Sequence, residues 1–119
     1  MEFRDVEKRV HKICGENGWD LYNQATLLAQ ADKLIEEATE LRDAIFAETQ
    51  GIKTFIDKKG KVKNVEEEII DGIGDTTVVL ANISKMTNYD FVFCFNTSTE
   101  VISKRKGKMI DCTFVKDSE

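Results

Sequence analysis

The chain has 119 residues, the size of one domain, since independent cores form at roughly 100–150 residues. With 41% hydrophobic residues, 33% charged residues and a net charge of −5 at pH 7, it reads as a globular chain with a modest core. The same figures exclude a global positive field able to hold duplex nucleic acid. No apolar run approaches the ~20 residues that cross a bilayer, and Met1–Asp5 starts no secretory signal. The expected partners therefore include no nucleic acid polymer and no membrane, and the expected location is the cytoplasm.

Proline is absent and apolar residues recur at helical spacing, so the reading is an all-α, single-domain chain over 1–119. It forms a bundle of about four helices. The first spans about Phe3 to Cys14 with Phe3, Val6, Val10 and Ile13 on one face, and the glycines at 15 and 18 end it. Trp19 and Tyr22 cap the core from the following turn. A longer helix from about Gln24 to Glu48 aligns Leu27, Ala31, Leu34, Ala38, Leu41 and Ile45 as a core-facing stripe.

From Thr49 to Asn64 the periodicity gives way to glycine and lysine, an exposed connector with room for a short hairpin. The third helix opens at Asn64 as N-cap, with Glu66, Glu67 and Glu68 in its first turn, and runs to about Met86. Thr76 to Ser84 carries no charge and is expected to be buried on most sides. A fourth helix from about Asp90 to Lys104 precedes a basic cluster and a short extended tail with Ile110, Phe114 and Val115. So short a chain with one buried helix completes its core by assembling as a dimer or tetramer.

Cys14, Cys94 and Cys112 are odd in number and widely spaced, and His11 is the single histidine. A thiolate zinc site, a disulfide scaffold and a histidine-based nucleophilic centre are all poorly supported. Carboxylate is what remains. Lys33, Glu36, Glu37 and Glu40 share about a third of one helix circumference, and Glu68, Asp71 and Asp75 repeat the pattern on the next long helix, with Asn82 further along that face. Generic acidic stripes are solvated surfaces, but Val78, Val79 and Met86 continue the stripe of Asp71 and Asp75. Carboxylates near buried surface need compensating charge, and a hard divalent cation supplies it. Gly72 and Gly74 cost the helix about 1 kcal/mol each relative to alanine, which points to a close approach or a kink there.

Residues 30–41, Gln30-Ala-Asp-Lys33-Leu-Ile-Glu36-Glu37-Ala-Thr-Glu40-Leu41, resemble the QxxKLxEExxEL helix of MazG-like all-α nucleoside triphosphate pyrophosphohydrolases. Glu68-Ile-Ile-Asp71-Gly-Ile-Gly74-Asp75-Thr-Thr-Val-Val-Leu80 is similar to that family's ExxD helix in its short phage-type form, and Lys104-Arg105-Lys106-Gly107-Lys108-Met109 with Phe114-Val115-Lys116 is similar to the basic ending of those members. The resemblance covers residues from about 19 to 116. It implies cleavage of a nucleoside or deoxynucleoside triphosphate between the α and β phosphates, giving a monophosphate and pyrophosphate, with Mg2+ as cofactor and Mn2+ as a substitute. For a phage-encoded member the location is the host cytoplasm.

By the same resemblance, Glu37, Glu40, Asp71, Asp75 and Glu68 are metal ligands, Glu36 orients the attacking water and Lys33 contacts phosphate. Gln30, Asn82, Lys104, Arg105, Lys106 and Lys108 contact the nucleotide, the basic four from across a subunit boundary. The ExxD pattern reads either as Glu68 with Asp71 or with its last acid at Asp75, where Gly72 replaces the family's glutamate, so all three acids stay in the set. Two other readings remain: a dimeric dUTPase-like or dCTPase-like nucleotidase with a similar acidic site, and a noncatalytic helical module whose acidic stripes bind a basic partner.

Overall fold

The computed structural model describes residues 2–16 and 19–117. Helices α1 (Phe3–His11), α2 (Leu21–Gln24), α3 (Leu27–Thr49), α4 (Val65–Thr87) and α5 (Phe91–Ser103) dominate it, and α1 runs into one wide π turn, Lys12–Glu16. Two antiparallel hairpins interrupt the helices: β1 (Thr54–Ile56) with β2 (Val62–Asn64), and β3 (Gly107–Ile110) with β4 (Thr113–Lys116). The helix-dominated fold expected from the sequence is borne out; the strictly all-α bundle of about four helices with an extended tail is corrected to five helices and two small hairpins. The tail folds back because Asp111 and Cys112 both take positive φ, 49° and 66°, and close a two-residue turn.

Local chemistry sets the helix ends. The Thr26 hydroxyl accepts from the Ala29 N–H, Asn64 Oδ1 from Glu67 and Asp90 Oδ2 from Phe93, so α3, α4 and α5 each begin on a side-chain cap. Asn88, at φ 62°, ends α4 in the left-handed conformation. Asp90 also receives both guanidinium nitrogens of Arg4, at 2.5 and 2.8 Å, which ties α1 to the start of α5; Phe3 packs edge-on against Phe91 at 5.3 Å.

The core is the antiparallel seam of α3 and α4. Buried residues recur every seven positions along it, Gln30, Glu37 and Ala44 on one helix and Val65, Gly72 and Val79 on the other, while Ala81 and Asn82 of α4 are buried as well. The seven-residue recurrence is the spacing of coiled-coil contacts. Gly72 lies where a Cβ would stand 3.0 Å from Leu41, so the missing side chain lets the helices close; Gly74 has open space around it. The close approach expected of this pair belongs to Gly72 alone.

The core-facing stripe read from α3 is corrected. Leu27, Ala38 and Ile45 are exposed, and Ala31, Leu34 and Leu41 are half-buried. These side chains form one flank of the seam, and α4 covers the seam itself. In α1 it is Glu7, beside Arg4, that is buried, while Phe3 and Val6 are exposed and Val10 is half-buried; Ile13, in the π turn, is exposed too. The charge-free half of α4 is buried at Val79, Ala81 and Asn82, half-buried at Thr76, Val78 and Ile83, and open at Thr77 and Leu80. Alpha-helix α5 leaves Phe93 68% and Phe95 59% exposed.

Adding a methyl group at Gly74 meets nothing and relieves the helix of glycine's backbone entropy, whereas any side chain at Gly72 enters the seam. Gly74→Ala is therefore expected to stabilise the chain by about 0.5–1 kcal/mol, and Gly72→Leu to lower its melting temperature. Thermal unfolding followed by circular dichroism checks both.

Candidate acidic site

The buried position of Glu37 places the rest. At 100° per residue, Lys33, Glu36 and Glu40 fall on one flank of the α3 seam, and in an antiparallel pair Glu68, Asp71 and Asp75 of α4 fall on the same flank. Glu37 is 8% exposed. Lys33 Nζ bridges Glu36 at 3.3 Å and Glu37 at 3.2 Å, and Lys63 Nζ of β2 lies 3.6 Å from Glu68.

The field of this face shows in its titration. Partial loss of water, then the charges of Glu37, Glu36 and Glu68, push the Glu40 carboxyl up. Partial loss of water, then Glu37, Asp71 and Glu68, push Asp75 up, with Lys33 opposing. The Glu37 hydrogen bond leads the causes that raise Lys33. The acids of the two helices therefore feel one another across the seam. Among the described residues, no group of three or more His, Cys, Asp or Glu is arranged to hold a metal ion as the side chains stand.

The remaining sequence candidates are placed apart. Gln30 is buried in the seam two turns before Glu37. Asn82 is 2% exposed and committed at both ends, its Oδ1 accepting from Tyr22 Oη at 2.6 Å and its Nδ2 donating to Cys14 Sγ at 3.5 Å. Burial, then the nearby Cys14, pushes the Tyr22 hydroxyl up to about 12, so it donates throughout the neutral range. His11 Nε2 lies 3.3 Å from the Ala81 carbonyl oxygen. These contacts make Tyr22 and Asn82 the link between the N-terminal segment and α4, while Trp19 stays exposed. Cys14 and Tyr22 were not legible as partners of Asn82, because 68 and 60 residues, respectively, separate them from it.

Lys104, Arg105, Lys106 and Lys108 follow α5 and enter β3, all exposed, and none forms an ion pair with the α3 or α4 carboxylates among the described residues. Their hairpin packs on itself: Gly107 has no room for a Cβ because the Val115 carbonyl and the Phe114 ring occupy that space. A surface recess of about 410 Å³ at the base of β1 and β2, walled by Glu48, Lys53, Val65, Ile69 and Ile70, is separate from the acidic face. Among the described residues no helix is long and apolar enough to cross a membrane. Comparisons with protein-family models, curated proteins and solved structures return no match.

An acid whose folded pKa is raised opposes folding once ionised. The penalty is absent below the ordinary carboxylate range and grows as pH rises through it toward the folded value. Asp75→Asn is thus expected to raise the melting temperature at pH 7 in chelator, with the gain shrinking toward pH 4. Calorimetry across that range checks the slope.

Proposed function

We propose that the chain is a magnesium-dependent nucleoside triphosphate pyrophosphohydrolase. The observation that carries this reading is a single face on which carboxylates of two helices repel one another across a seam, with Lys33 set among them. The resemblance of residues 30–41 and 68–80 to MazG-like enzymes supplies the substrate class.

The donor chemistry fits the metal. Carboxylate oxygens suit hard cations such as Mg2+ and Mn2+, and Glu37, Glu40, Asp71 and Asp75, with Glu68, would hold them. Among the described residues these donors do not converge on one point as the side chains stand, so holding a cation would require them to turn inward. When bound, the cation neutralises phosphate charge and lowers the pKa of water.

The chain's own residues supply the rest of the role. Glu36 is exposed at the edge of the face, able to accept a proton from water and orient it for attack on the α phosphorus. Lys33, kept charged by Glu37, offers ammonium hydrogens to phosphate oxygens. Gln30 and Asn82 line up on the seam beyond Lys33; Asn82 reaches the nucleotide only by releasing Tyr22 or Cys14, so its first role is to hold α4. Lys104, Arg105, Lys106 and Lys108 serve a nucleotide bound by another subunit.

Assembly belongs to the same reading. The chain exposes 9427 Å², against about 6,500 Å² for a compact monomer of its mass. Its radius of gyration is 17.5 Å, against about 13.5 Å for a compact domain of its length. Ile45, Ile73 and Leu80 occupy the flank of the seam opposite the acids and are exposed. Covering that flank with a second copy buries apolar surface and leaves the acids open to substrate.

With Mg2+ and a panel of natural triphosphates, the expected products are monophosphate and pyrophosphate, and Glu37→Gln is expected to lower kcat about 100-fold or more. Product chromatography distinguishes this from orthophosphate release, which rejects the assignment.

A further inference from the structure

A hydroxyl taken out of water without a partner costs the fold stability. Among the described residues, Thr76 Oγ1 is in that condition: it is buried and has no hydrogen-bond partner. Threonines inside helices have a ready solution, since the hydroxyl can donate to the carbonyl four residues back. Thr39, Thr77 and Thr87 take it, donating to the carbonyls of Ile35, Ile73 and Ile83 at 2.8, 2.7 and 2.9 Å. Thr76 does not, although Thr77 beside it on α4 does. Its hydroxyl is turned away from its own backbone and into the seam.

The packing of α3 on α4 says what this hydroxyl faces. A Cβ at Gly72 would stand 3.0 Å from Leu41, so these two positions are level. In an antiparallel pair with equal rise per residue, four residues forward on α4 meet four residues back on α3, which sets Thr76 level with Glu37. Thr76 lies about 40° round α4 from Gly72, and Leu41 about 40° round α3 from Glu37. The Thr76–Glu37 pair therefore repeats the Leu41–Gly72 pair with the helices exchanged. Both steps lead to the flank opposite the acids, so Thr76 stands on the apolar side of Glu37, away from Glu40, Asp71 and Asp75. On that flank α3 presents the hydrocarbon of Leu34 and Leu41, both half-buried, which accepts no hydrogen bond. Glu37, 8% exposed, is the polar side chain of α3 on the seam at this level. Lys33 Nζ lies 3.2 Å from its Oε1, and a carboxylate accepts on both oxygens.

We infer that Thr76 is a positioning residue for Glu37: its hydroxyl donates to the Glu37 carboxylate from the apolar side of the seam when that carboxylate turns to hold a divalent cation with Asp71 and Asp75 on the acidic side. The inference rests on the metal-dependent reading above and adds to it a residue that touches neither cation nor substrate. Partners of this kind fix the orientation of a ligating carboxylate, and losing one weakens metal binding about 10–100-fold. Stability by itself favours valine at position 76, which has the shape of threonine and no hydroxyl to bury. A residue that breaks a local rule in this way, one turn from Asp71 and next to Asp75, has its use in the site.

Titrating Mn2+ into the nucleotide-free chain, with the free ion counted by electron paramagnetic resonance, tests this on Thr76→Val and Thr76→Ser. Thermal unfolding in chelator is measured on the same proteins. Thr76→Val is expected to melt at the same temperature as the unaltered chain or higher, yet to bind Mn2+ at least about tenfold more weakly. Thr76→Ser keeps the hydroxyl and loses a methyl group; it is expected to melt lower and to bind Mn2+ as the unaltered chain does. Thr76→Ala removes the hydroxyl without adding bulk, and is expected to bind as weakly as the valine variant. Equal Mn2+ affinity in the unaltered, valine and alanine proteins overturns the inference and leaves the pyrophosphohydrolase reading standing. A serine variant as weak as the valine variant also overturns it, since packing rather than the hydroxyl is then what matters. An unaltered chain that binds no Mn2+ overturns the inference and the metal-dependent reading together.

Discussion

Two antiparallel helices meeting at seven-residue intervals constrain the rest of this molecule. Once Gln30, Glu37 and Ala44 face Val65, Gly72 and Val79, every other position on α3 and α4 has an assigned flank. Lys33 and Glu40 lie a turn from the buried Glu37 and Glu36 lies beside it, and Asp71 and Asp75 lie beside and a turn from Gly72, so both groups emerge on one side. The glycine matters as much as the acids: a side chain at Gly72 would meet Leu41 and hold the helices apart. Partial desolvation first, then neighbouring carboxylates, push Asp75 and Glu40 upward; for Asp75 the leading charge is Glu37 across the seam, and for Glu40 it is Glu37 on its own helix. A carboxylate inside a helix seam is costly unless compensated, and Lys33 compensates Glu37 in part at 3.2 Å.

The second consequence is segregation. Acids occupy one flank of the α3–α4 layer, apolar side chains such as Ile45, Ile73 and Leu80 the other, and lysines the hairpin at its end. A two-helix layer has two broad faces and covers neither. The N-terminal segment shields part of α4 through His11 of α1, Cys14 of the π turn and the bond of Tyr22 in α2 to Asn82, but α5 and the C-terminal hairpin stay open. The surplus of exposed surface over a compact monomer is the area expression of that layout.

Much of this was legible in the residues. The two long helices, the Asn64 cap, the opening of the last helix at Asp90 and the acidic spacings on both helices all follow from local rules, because capping and helical periodicity act within a few residues. The core-facing stripe of α3 was misjudged for an equally physical reason. Leu27, Leu34, Leu41 and Ile45 mark an apolar flank correctly, yet periodicity does not say which neighbour covers it; α4 instead packs on the adjacent line through Gln30 and Glu37. Buried polar residues in a seam are invisible to a hydrophobic pattern. The tail hairpin was missed because Asp111 and Cys112 at positive φ carry no glycine to announce the turn.

The sequence by itself determined the elements: where helices start and stop, which residues share a helical face, and that lysine concentrates between the two long helices. Only the tertiary structure decided that the two acidic stripes share one flank, that Gly72 rather than Gly74 admits the close approach, and that Asn82 is held by Tyr22 and Cys14. The division has one cause. Helix and cap propensities are set by neighbours along the chain, whereas the rotation of one helix against another depends on side chains meeting from distant positions.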